Sequence, residues 1–114
     1  MIIERFEDII AWQKTKQLSV LIYKTFSNNK DYGFKDQLQR ASVSVMNNIA
    51  EGFERKANKE FKQFLYVAKG SCGEVRSMLC LAKALGIIPD DKFKEFLKLA
   101  EEISKILGGF IKSL

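Results

Sequence analysis

Residues 37–52 carry two stripes at one helical spacing. Leu38, Ala41, Val45 and Ile49 are apolar and recur every three or four residues, as the core side of a helix requires. Arg40, Ser44, Asn47 and Glu51 recur at the same spacing, displaced by roughly 60° to 100° around the helix. A solvated face ordinarily carries Lys and Glu. This one carries a hydroxyl, an amide, one guanidinium and one carboxylate, groups suited to fixed hydrogen bonds. The segment predicts a bundle helix with a structural polar layer, in which Arg40, Asn47 and Glu51 meet Ser71 and Glu74 of a later helix. An Arg40–Glu74 or Arg40–Glu51 pair would be charge-assisted. If it were buried, removing one partner would cost on the order of 3 kcal/mol.

The same periodicity runs through the rest of the chain, and only one proline, Pro89, interrupts it. Helices are expected over residues 8–26, 34–53, 58–85 and 89–113. In the first, Ala11, Thr15, Leu18, Ile22 and Thr25 form one stripe, and Trp12, Ser19, Tyr23 and Phe26 an adjacent one. Residues 27–33 are rich in turn formers. Asn58 is the expected cap of the third helix, which also carries two stripes. One comprises Phe61, Leu65, Ala68, Cys72, Val75, Leu79 and Ala82; the other comprises Phe64, Val67, Ser71, Met78, Leu81 and Leu85. Gly86 suits a helix C-terminus, and Pro89 with Asp90 and Asp91 suits the next helix start. Phe93, Phe96, Ala100, Ile103 and Leu107 lie on the core side of the fourth helix. Gly108 and Gly109 are expected to loosen its last turns. Short connections make neighbours antiparallel, so the expected fold is a single all-α domain: an antiparallel up-down-up-down four-helix bundle over residues 1–114. The double stripes are either one broad face per helix or apolar surface left for another copy, and we expect a homo-oligomer.

Histidine is absent, which excludes Ser-His-Asp and Cys-His chemistry and the common histidine metal sites. A di-metal bundle ordinarily needs Glu-x-x-His pairs. No catalytic residue, metal or cofactor is therefore expected. Cys72 and Cys80 share a helix about 12 Å apart, too far for a mutual disulfide. Free thiols, an acidic N-terminal segment in place of a signal sequence, and no long apolar span lead to the expectation of a cytoplasmic protein without a membrane partner.

With 19 Lys and Arg against 14 Asp and Glu, the chain carries a formal charge of +5, which permits a nucleic-acid partner without demanding one. On the third helix Lys59, Lys62, Tyr66, Lys69, Gly73, Arg76 and Lys83 form a one-sided basic stripe, with Arg55 and Lys56 just ahead of it. Cations at that spacing can neutralise phosphates, and Tyr66 can stack a base. The alternative is an ordinary solvated face. The charges of the fourth helix alternate in sign along the chain and read as solvated. Trp12, Tyr23 and Phe26 suit either the core or an oligomer contact.

Several blocks together resemble a known family. They are the run from Phe6 to Lys14, Tyr32-Gly-Phe34, Gln37-Leu-Gln-Arg-Ala-Ser42, Asn47-Asn-Ile-Ala-Glu-Gly52, Glu60-Phe61, Phe64-Leu65 and Gly70-Ser71-Cys72-Gly73-Glu74. They resemble the bacterial four helix bundle proteins that include products of 23S rRNA intervening sequences. The resemblance implies an antiparallel bundle assembling as a ring-like homopentamer. A related bundle, the accessory variability determinant of diversity-generating retroelements, is basic and works with a reverse transcriptase and nucleic acid. The resemblance thus implies as partners the chain itself, RNA or DNA, or a protein such as a reverse transcriptase. Function carried across on fold alone is analogy.

Overall fold

The computed structural model describes residues 2–114. A 3-10 turn, Phe6–Asp8, leads into α1 (Ile10–Thr25), followed by α2 (Tyr32–Glu54), α3 (Asn58–Leu85) and α4 (Asp90–Ser113). The described residues contain no strand. The four helices form an antiparallel up-down-up-down bundle. Gln37 lies opposite Glu74 and Ser44 opposite Ser71, which fixes α2 against α3. The Cys72 thiol donates to the Ala100 carbonyl and Lys83 reaches Asp90, which fixes α3 against α4. Lys14 pairs with Glu102 and closes α4 back onto α1.

Local chemistry sets the helix ends. Asp31 accepts from the Phe34 N–H, so α2 begins at Tyr32, two residues ahead of the apolar pattern. Asn58 is the first residue of α3, with Ala57 in the cap position, and no side chain caps that end. Gly86 ends α3 with φ of 70°, a left-handed conformation that a Cβ disfavours. The Ile87 N–H returns to the Ala82 carbonyl, closing a Schellman-type turn. Gly108 and Gly109 do not end α4, which continues through Ser113 while Leu107 and Ile111 hold it to the core.

The core follows the expected stripes. Leu18, Ile22, Leu38, Ile49, Leu65, Leu79, Phe96 and Ile103 are all fully buried. Phe26 joins the core, whereas Trp12 packs edge-on against Phe6 and Tyr23 stays exposed. The second α3 stripe divides. Phe64 and Met78 turn toward the bundle, while Val67, Leu81 and Leu85 remain 53%, 49% and 57% exposed.

Gly52 determines how closely α2 and α3 approach. A Cβ there would lie 2.5 Å from Phe64 Cβ and 3.0 Å from Phe61 Cδ1, so only glycine fits without separating the helices.

Candidate nucleic-acid interface

The α2–α3 seam holds a polar layer that is neutral at its centre. Ser44 Oγ and Ser71 Oγ lie 2.9 Å apart, and Asn48 Nδ2 donates to the Ser44 carbonyl at 2.8 Å and to Ser44 Oγ at 3.1 Å. Gln37 donates to Glu74 at the rim. The expected cross-helix pairing of Arg40 is not formed. Arg40 Nε donates to Asp36, four residues back on its own helix, and its side chain is 79% exposed. Glu51 accepts from Arg55, again within four residues, and Asn47 is exposed. The reason is local: residues four apart on a helix meet with little side-chain ordering, whereas reaching α3 would carry a guanidinium out of water. The layer therefore combines Ser44 and Ser71 with Gln37, Asn48 and Glu74. Arg40, Asn47 and Glu51 sit on the solvent side.

The other edge of α3 is different. Lys62, Lys69, Arg76 and Lys83 recur every seven residues, which returns a helix to nearly the same direction. That direction is the α4 side. The Lys69 chain passes 3.5 Å from where a Cβ of Gly108 would stand, and Lys83 bonds Asp90 and lies over the Phe93 ring at 4.7 Å. Asp90 also accepts from Lys94, and that bond with the two lysine charges lowers its pKa. Lys59, Tyr66 and Gly73 lie farther out on α3, with Tyr66 59% exposed. Arg55 is not part of this edge: it bonds Glu51 and stacks over Phe64, on the α2 side. Lys56 is an exposed residue of the α2–α3 connection.

Beneath the row, burial pushes the Cys72 thiol up to about 11 against the opposing pull of the Arg76 and Lys69 charges. Both cations therefore act on the α3–α4 seam. Arg76 Nε is buried with no hydrogen-bond partner among the described residues.

The charged side of α4 is solvated, as expected: Lys94, Lys98, Glu101 and Lys105 are all exposed. Lys98, Lys105 and Lys112 also recur every seven residues. All three are exposed, and Lys98 and Lys105 share one surface pocket with Glu101 and Glu102. Glu102 pairs with Lys14 on α1. No ion pair among the described residues involves Lys62, Lys69, Arg76, Lys98, Lys105 or Lys112. Glu101 and Glu102 both lie between Lys98 and Lys105, and neither pairs with them.

Residues 7–109 match the family described as 23S rRNA-intervening sequence protein. The chain belongs to that family. A crystal structure of a protein of unknown function, from the S23 ribosomal protein family of Bacteroides thetaiotaomicron, has the same fold with a TM-score of 0.85 at 24% identity. The likeness covers 90% of this chain and 99% of that one, and at that identity it speaks for the fold. No curated protein matches the chain. No helix among the described residues is long and apolar enough to cross a membrane.

Proposed function

We propose that this family member is a non-enzymatic, homo-oligomeric accessory or scaffold protein that associates with nucleic acid, RNA foremost, through the basic edge of α3. The observation that carries the reading is the row Lys62, Lys69 and Arg76, left without carboxylate partners while Arg40 and Arg55 elsewhere on the bundle are paired. Unpaired cations at regular spacing lose little on meeting phosphates and release the counterions condensed there. The groups present are long cations and one exposed tyrosine, so contact is with backbone, and sequence preference is low. Repetition of the row in an assembly would raise avidity without any new contact.

The double change Lys62→Glu/Lys69→Glu tests this reading. Binding of a structured RNA should disappear while the helical signal and melting curve persist. Unaltered affinity in a folded variant would remove this face from consideration.

A second reading is a protein-assembly module without nucleic acid. The exposed Val67, Leu81 and Leu85 on α3, with Val20 and Tyr23 on α1, favour self-association under either reading. A monomer mass at micromolar concentration would contradict the oligomer. Self-association that persists while RNA binding is absent at low salt would favour the second reading.

A further inference from the structure

We propose that the ligand of this face is a single-stranded nucleic acid, with one unpaired base stacked on Tyr66 and its flanking phosphates held by Lys59, Lys62 and Lys69. This rests on the nucleic-acid reading above and deepens it by adding a base contact and naming a ligand shape.

Tyr66 is a free platform. It is exposed, and neither a second ring nor a cation lies against its ring among the described residues. Tyr32 is also exposed, but Lys35 Nζ already covers its ring at 4.9 Å. Helical side chains lean toward the preceding turn, so the Tyr66 ring leans toward Lys62 and leaves the turn behind it to residues 70 and 73. Both are glycine, and no side chain lies within 4 Å of where either Cβ would stand. The Lys69 chain does not close this space. It passes toward α4, 3.5 Å from where a Cβ of Gly108 would stand. One side of the ring is therefore bordered by bare helix surface, against which a flat group can lie.

The charges suit the backbone of a nucleotide on that ring. Lys62 stands four residues before Tyr66 and Lys69 three after it, about 6 Å and 4.5 Å along the axis. A stacked nucleotide carries a phosphate on either side, and each can meet one of these lysines. Lys59 adds a third cation within one turn of Lys62. None of the three has a carboxylate three or four residues away on α3, and none forms an ion pair among the described residues. Tyr23 on α1 is exposed without this setting: Ser19, Val20, Phe26 and Ser27 are its neighbours at that spacing, and none is a cation. Within a duplex, a base is covered by its stacked neighbours, whereas an unpaired base can turn out and stack on an aromatic side chain. Cations along the backbone with an aromatic ring for the bases are the means by which single strands are held. Every base has a π face, so one ring confers little preference among the four.

The test compares a short unstructured RNA strand with a perfect RNA duplex of the same length, each titrated against salt. The proteins are the wild type, Tyr66→Leu, Tyr66→Phe and Lys62→Gln/Lys69→Gln. All three positions lie outside the core, and the replacements are compatible with a helix, so the variants should melt like the parent. The wild type should bind the strand more tightly than the duplex. Tyr66→Leu, which removes the π face, should lose about tenfold in affinity for the strand. Its salt slope and its duplex binding should not change. Tyr66→Phe, which keeps the face, should bind like the wild type. The double lysine variant should flatten the slope of log affinity against log salt for the strand by about 1.4, since each phosphate on a single strand contributes about 0.7. Equal or tighter binding of the duplex overturns the single-strand inference. So does an unchanged affinity of Tyr66→Leu for the strand, a loss that the duplex shares, or a Tyr66→Phe as weak as Tyr66→Leu. If the lysine variant still flattens the slope in those cases, the basic-edge reading stands. Absence of binding to both probes at low salt overturns both.

Discussion

The two long edges of α3 solve the same problem in opposite ways. On the α2 side the polar groups answer one another: Ser44 meets Ser71, Asn48 returns to Ser44, and Gln37 meets Glu74. Gly52 lets the two backbones close over this layer. On the α4 side Lys62, Lys69 and Arg76 have no carboxylate partner among the described residues. Hydrogen bonds satisfied internally specify register and have nothing left for a partner. Cations left without carboxylates repel one another and gain free energy when an anion arrives. A polar residue on a bundle surface is thus better classified by its partners than by its type.

The largest expected effect lies at the closed edge. Gly52→Ala places a methyl group against Phe64 Cβ, 2.5 Å away, and should cost about 3 kcal/mol, near the top of the overpacking range. Denaturant unfolding measures it, and a loss below about 0.5 kcal/mol would show that α2 and α3 are not held this tightly.

The next effect concerns the open edge. The folded chain keeps the Cys72 proton to higher pH than the unfolded chain, because burial raises the thiol to about 11. The resulting stabilisation is complete below the ordinary thiol value and is lost as pH rises toward about 11. Its magnitude is on the order of 2 kcal/mol. Unfolding midpoints across that alkaline window should fall more steeply for the wild type than for Cys72→Ala. Parallel curves would mean the thiol is not buried beneath the lysine row.

A smaller effect separates the outer face of α3 from both edges. Neither Gly70 nor Gly73 has any atom within 4 Å of where a Cβ would stand. Gly70→Ala/Gly73→Ala should stabilise the isolated bundle, by up to about 1 kcal/mol per site. If the chain self-associates and the same pair of changes abolishes that association, the outer face of α3 is the contact. The smallest effect is at Arg40. Its exposed bond to Asp36 contributes little, so Arg40→Ala should shift stability by less than about 0.5 kcal/mol. A loss of several kcal/mol would restore the buried cross-helix pair that the sequence suggested.

These differences mark where the sequence was readable. Apolar spacing placed all four helices, because burial of one face dominates bundle energetics and leaves a period of 3.6 residues. Gly86 and Pro89 located the α3–α4 turn through backbone constraints that are local. The Ser44–Ser71 contact was partly legible, since both residues lie on stripes facing a neighbouring helix. The partner of Arg40 was not, because a long side chain chooses among carboxylates by local geometry that residue type does not encode. Lys98, Glu101, Glu102 and Lys105 mix in sign along the chain and share one surface of α4, so that face reads as solvated in the structure as it does in the sequence.

The most direct test of the central claim is the affinity of nucleic-acid-free protein for a structured RNA, measured from low to physiological salt. The account predicts binding at low salt and a steep linear fall of log affinity with log salt, since each neutralised phosphate contributes nearly one unit of slope. Absence of binding at low salt, or an affinity indifferent to salt, would contradict it and leave the α3–α4 edge as a solvated surface.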